Sequence, residues 1–303
     1  MTTHAMAALA SLLVLAPALP ALAAKTTARL TGRRGAPVHQ LYLDLLKLVR
    51  KGSVYGDSTT WIFRLAPLLL VGTCLVAALL LPLDGRRAPI AFAGDLMAFA
   101  ALLALGRFAF VLAGLDTGSS FEGMGASRDL AFSSLVEPGL FLSLTALALA
   151  TGQLSISGMM GAPLADVWAQ AAATIAMVAA SLFILLTAEA GRGPVDDPAT
   201  HLELTMIHEV TALDHGGLDL AFVLYGGALK FALFAALVVG VLAPRAWLGG
   251  PYSLAILVAG LAAVSVLVGV VESIMARLRL GSVSRWLLLA SALPVLGILL
   301  RMT

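Results

Sequence analysis

Of 303 residues, 60% are hydrophobic and only 12% charged, and the formal net charge is +2. A water-soluble domain carries about 25% charged residues, so this composition excludes a domain folded in water, and the small net charge is no signature of nucleic-acid binding. Cys74 is the one cysteine; it excludes a disulfide framework and any iron–sulfur or nickel–iron centre held by this chain alone, because those need several thiolates.

A hydrocarbon span needs roughly 20 apolar residues. Eight segments qualify: residues 5–24, 62–83, 90–113, 130–152, 166–189, 218–242, 252–273 and 284–301. They take up most of the chain, so the expectation is an all-α integral membrane protein, a single membrane domain over residues 1–303. The first segment ends in Ala-Leu-Pro-Ala-Leu-Ala-Ala, similar to a signal-peptidase site. A secretory signal places its positive charges before the apolar stretch, yet only His4 precedes this one, while Lys25, Arg29, Arg33 and Arg34 follow it. The charges favour a retained helix with its N-terminus outside; cleavage is the alternative. Alternating spans then put thirteen Lys and Arg on the side of the first loop. Four (Arg86, Arg87, Arg245, Arg301) fall on the other side, and Arg107 and Lys230 lie within spans. The positive-inside rule makes the first-loop side cytoplasmic, with both termini on the outer face of a bacterial inner membrane.

The first loop, 25–61, carries an amphipathic helix over about 37–51. Val38, Leu41, Tyr42, Leu45, Leu46 and Val49 recur at the three-and-four spacing of one face, opposite Gln40, Asp44, Lys47 and Lys51. Such a helix lies in the interface plane, and the plainest reading of Asp44 and Lys47 is a surface pair. The second loop, Asp116 to Arg128, is rich in Gly and Ser, but no strand precedes it and the Lys-Ser/Thr ending of a phosphate loop is missing. The third, 190–217, is expected to hold an interfacial helix over about 199–213. His201, His208 and His215 fall seven residues apart beside Glu203, Glu209 and Asp214, but Ala212 stands where a His-Glu-x-x-His zinc signature needs histidine, so no metal site is expected.

An ionisable side chain inside a span is a functional candidate by default. Asp95, Arg107, Glu137, Glu189 and Lys230 qualify, and Glu272 ends the seventh span. Asp95 sits near the outer interface. Arg107 either snorkels to the inner surface or is buried; Glu272 either has a role or pairs with Arg277 or Arg279. Glu137 lies nine residues past Arg128, about 13 Å along a helix, well inside the membrane. Lys230 follows Gly226, Gly227 and Ala228, small residues that admit a neighbouring helix. Its buried ammonium requires a carboxylate, and Glu137 and Glu189 are available.

Two stretches carry a family signature. Residues 189–198 read Glu-x-x-Arg-x-Pro-x-Asp-x-Pro, with Glu203-Leu204 just after. The stretch from Gly32 to Lys51 has an Arg-rich turn before a Gln-x-x-x-Asp-x-x-Lys helix. Together they resemble the family that contains membrane subunit 1 of the NADH dehydrogenase of respiratory complex I. That family also holds the corresponding subunits of membrane-bound (group 4) NiFe hydrogenases and formate hydrogenlyases. Thr200 to Glu209, a shorter acidic run and the lack of a Gly-Pro-Asn extension in the first loop point to the hydrogenase branch.

The resemblance implies a membrane-anchoring, ion-coupling subunit. Arg33, Arg34, Gln40, Asp44, Lys47, Arg128 and Arg192 would dock a peripheral arm, with the run 116–128 a flexible loop before the fourth span. Glu137, Glu189, Lys230, Arg107, Asp196 and Glu203 would link electron transfer to proton or sodium movement. The implied partners are hydrogenase large and small subunits, a ferredoxin-like iron–sulfur subunit and antiporter-like membrane subunits. The NiFe and iron–sulfur centres would sit in those partners, with no cofactor, metal or catalytic residue in this chain. One departure is that Asp219, near the interface, is the only acid between Leu218 and Lys230, where family members often carry one closer to the lysine. The alternatives are the quinone-binding subunit 1 of complex I and a purely structural anchor; a stand-alone transporter would call for inverted repeats, which the two halves do not show.

Overall fold

The computed structural model describes residues 3–193, 208–243, 252–275, 278 and 280–302. Asp196, Glu203, His201, Arg245, Arg277 and Arg279 lie outside them, as does most of the helix expected at 199–213. The described residues form helices and no strand: α1 (Thr3–Leu15), α2 (Ala18–Leu30), α3 (Gln40–Val49), α4 (Trp61–Leu79), α5 (Asp95–Asp116) and α6 (Ser120–Thr151). The chain continues with α7 (Ile156–Met159), α8 (Ala162–Glu189), α9 (His208–Thr211), α10 (Gly217–Leu242), α11 (Ser253–Ile274) and α12 (Leu280–Met302). Seven are long and apolar enough to cross a membrane, and the bent pair α1–α2 makes up to eight. This is a multi-pass, all-helical membrane protein.

The helix α10 is the axis of the bundle: it buries 67% of its most apolar stretch, against 33% for α11 and 28% for α12. Around it stand α4, α8, α11 and α3; α5 and α6 form the next layer, with α12 against α6 and α8. At one position the axis needs glycine. A Cβ on Gly226 would come within 2.8 Å of Leu70 Cγ, so α4 approaches α10 closely there, one turn before Lys230. Gly227, expected to act the same way, faces open space.

Two expectations are corrected. The first span is not continuous over 5–24. Pro17 lacks the N–H that an unbroken helix would offer the Leu13 carbonyl, and α1 bends by 48° into α2 at this point. Residues 116–128 are not a loop. Only residues 117–119 separate α5 from α6, and Asp116 fixes the corner by accepting from the Thr60 N–H (2.6 Å) and hydroxyl (2.9 Å) at the start of α4. The glycines of this stretch make room: a Cβ on Gly125 would stand 2.9 Å from the Thr211 backbone nitrogen, so α9 rests directly on the α6 backbone. The expected helix of the first loop is present as α3. Leu41, Tyr42 and Leu45 are half-buried against the bundle, while Leu46 and Val49 face outward with Leu43.

Candidate functional site

Four charges converge halfway along the bundle. Arg107 comes from the middle of α5, Glu137 from the middle of α6, Lys230 from the middle of α10, and Glu189 is the last residue of α8. The Arg107 guanidinium contacts Glu189 through Nη2 and stands 3.4 Å from Glu137 Oε1 through Nη1. Lys230 Nζ lies 3.9 Å from the other Glu189 oxygen. One carboxylate therefore serves two cations, and a second carboxylate is within reach of one of them. Two positive and two negative charges cancel, which is what permits their burial in an apolar bundle.

The four are not equally enclosed. Arg107, Glu189 and Lys230 are buried, whereas the Glu137 side chain is 46% exposed. It opens onto a lateral groove of about 490 Å³ between α5 and α6, lined by Ala104, Arg107, Ser134, Pro138 and Phe141 among others. The cluster thus has a closed side at Lys230 and an open side at Glu137. Arg107 does not snorkel out of its span, and the partner of Lys230 is Glu189 rather than Glu137.

The structure adds residues that sequence reasoning missed. Glu122, Asp129 and Glu137 recur along α6 at intervals of seven and eight residues, so they follow one side of the helix from its first turn to its middle. Glu122 and Asp129 are buried, and Asp129 is close enough to act electrostatically on both Arg107 and Lys230. Their signal was visible in the spacing, but it requires a helix where the Gly/Ser run suggests a loop.

At the α6 N-terminus the acids meet a second polar cluster. Glu122 Oε1 accepts from the Asp214 N–H at 2.8 Å. His215 is 3% exposed and stacks on Phe63, with ring centroids 4.0 Å apart, and on Phe110 at 6.1 Å. Burial among these rings pushes its imidazole down to about 4, against the nearby negative charges of Asp219 and Asp214. Asp219, expected near the interface, is buried in the first turn of α10. It accepts from Tyr55, which holds that phenol above its ordinary range. Glu122 Oε2, Asp219 Oδ2 and both nitrogens of His215 have no hydrogen-bond partner among the described residues.

The remaining candidates are placed as follows. Arg33 and Arg34 are exposed in the turn after α2. Gln40 donates to Asp44 at 3.0 Å within α3, and Lys47 is exposed beside them. Arg128, on α6, donates to Met124 Sδ at 3.2 Å. Arg192 turns into the bundle: Nη1 lies 3.6 Å from Glu272 and Nη2 donates to the Pro20 carbonyl at 3.0 Å. Glu272 also accepts from Thr27 at 2.6 Å and from the Gly193 N–H at 3.3 Å. Asp95 accepts from Ser155 and from the Ile156 N–H, tying the start of α5 to the turn before α7. No group of three or more His, Cys, Asp or Glu among the described residues is placed to hold a metal ion.

A multi-pass bundle with a charge-balanced cluster at its centre defines the class: an integral membrane subunit with ionisable groups in its spans. The sequence profile of the NADH dehydrogenase family matches residues 3–301, and the chain belongs to that family. It is 39% identical over 233 residues to hydrogenase-4 component C of Escherichia coli K12, covering 77% of this chain and 72% of that one. It is 34% identical over 278 residues to formate hydrogenlyase subunit 4 of the same organism, covering 89% and 88%. Among solved structures it is similar to the membrane-bound sulfane sulfur reductase, an archaeal respiratory membrane complex. That likeness has a TM-score of 0.78 at 18% identity and covers 98% of this chain and 97% of the other; at this identity it speaks for the fold alone.

Proposed function

We propose that this chain is the membrane-anchoring, ion-coupling subunit of a hydrogenase or formate hydrogenlyase type complex in a bacterial inner membrane. The end that carries α3 and the Lys25–Lys51 basic run faces the cytoplasm by the positive-inside rule, with both termini on the opposite face. There it holds a peripheral arm of hydrogenase large and small subunits and a ferredoxin-like iron–sulfur subunit, which carry the redox centres. The similarity to two hydrogenase-related subunits over most of their lengths supports this assignment.

The observation that carries the coupling role is Glu189, shared by Arg107 and Lys230. A carboxylate shared by two cations has two partners between which its contact can shift. Here a charge arriving at Glu137 or Asp129 competes for Arg107, and the hold on Glu189 passes to Lys230. The acids along α6 supply the cytoplasmic approach and the open groove at Glu137 faces antiporter-like membrane subunits. Ionisable groups at this depth mark ion pathways. The test is the assembled complex in sealed vesicles. Glu137→Gln and Lys230→Ala are expected to leave electron transfer measurable and to abolish the accompanying proton or sodium movement. Normal coupling in both variants would make the chain a structural anchor.

A further inference from the structure

The break in the first span is filled by side chains from three other elements. The Leu13 carbonyl, which Pro17 leaves without a helical donor, accepts from Tyr225 Oη of α10 at 3.2 Å. One residue on, the Val14 carbonyl accepts from Tyr42 Oη of α3. The same Tyr42 hydroxyl also faces the Ala18 N–H. In an unbroken helix the Ala18 N–H would bond the Val14 carbonyl directly. The Tyr42 hydroxyl thus stands inside the helical ladder, and a side chain inserted there is a recognised cause of a bend. Arg192, from the turn after α8, takes the Pro20 carbonyl just beyond.

None of the three comes from a neutral location. Tyr42 sits on α3, two residues before Asp44; Tyr225 is five residues before Lys230; Arg192 is three after Glu189. The backbone at the break has two ways to satisfy itself, through the Tyr42 hydroxyl or by a direct Ala18–Val14 bond. An unpaired carbonyl is not tolerated in hydrocarbon, so removing the wedge forces the second arrangement. An element with two discrete arrangements, touched from two sites, is what coupling between those sites requires.

We propose that Tyr42 is a positioning residue. It holds the first span bent, so that a partner docked on α3 sets, through the α1–α2 break, Tyr225 and Arg192, the geometry of Lys230 and Glu189. The coupling half of this statement rests on the function proposed above; the wedge itself does not. The test is the complete complex carrying spin labels at Met6 and Arg29, which flank the break, measured by pulsed distance spectroscopy and by ions moved per electron. Tyr42→Phe keeps the ring and removes the oxygen. It is expected to lengthen the Met6–Arg29 distance and to lower the ion-to-electron ratio at least two-fold, with the rate of electron transfer and the subunit composition unchanged. Pro17→Ala restores a helical donor and is expected to lengthen the distance with both tyrosines in place. Tyr225→Phe, the second variant should Tyr42→Phe assemble poorly, is expected to lower the ratio likewise. An unchanged distance in Tyr42→Phe overturns the wedge; a longer distance with an unaltered ratio overturns the coupling. Failure of the function itself is separately visible, since Lys230→Ala would then couple normally whatever the labels report.

Discussion

The two polar clusters of this bundle handle burial in opposite ways. Around Arg107 every charge meets its opposite, and two cations share one carboxylate. Around His215 the polar atoms are left open: Glu122 Oε2, Asp219 Oδ2 and both imidazole nitrogens lack partners among the described residues, and burial keeps the imidazole neutral at pH 7. The first cluster tolerates burial because it is paired, the second because one of its members is discharged. A paired cluster can shift partners but resists a change in its total charge.

The contrast breaks first at Arg107. Arg107→Met leaves Glu189 and Glu137 facing each other with only Lys230 to balance them. Removing one member of a buried pair costs about 3–5 kcal/mol, so a clear fall in melting temperature in detergent is expected. An unchanged melting temperature would show that pairing does not stabilise the first cluster. Glu137→Gln is expected to be milder, because Arg107 keeps its contact with the buried Glu189 when Glu137 loses its charge. A loss equal to that of Arg107→Met would put Glu137 on the closed side.

The smallest effect is expected at His215, and its direction is fixed by sign. The imidazole falls from an ordinary 6.5 to about 4 in the folded protein. The fold therefore favours the neutral ring. That contribution is complete above about pH 6.5 and is lost as pH falls toward 4. Thermal stability followed across this window is expected to decline more steeply in the natural chain than in His215→Phe; parallel curves would remove His215 from the account.

Much of this was legible before any coordinates. Of the eight apolar segments, seven stand as helices long enough to cross a membrane and the first as the bent pair α1–α2, and the fifth ends at Glu189, where the sequence places it. That Lys230 meets a carboxylate, Glu137 or Glu189, follows from the rule that a buried ammonium requires one. What was not legible is the partner choice, because Arg107, Glu137 and Glu189 come from three helices and only their crossing decides which meet. Glu122 and Asp129 were hidden for a local reason: glycine and serine read as loop, yet here Gly125 is small so that α9 can lie on the helix. The break at Pro17 was obscured in another way, since the same small residues and prolines resemble a processing site. Its second cause, a tyrosine hydroxyl 28 residues away in the chain, has no signature in local sequence.

The central claim is that the cluster relays charge rather than merely filling a hole in the bundle. The direct measurement is the charge-balanced double variant Glu189→Gln with Lys230→Met, assembled in vesicles and followed for both melting temperature and ions moved per electron. The account predicts that stability returns toward that of the natural chain while ion movement remains abolished. Recovery of both together would contradict it.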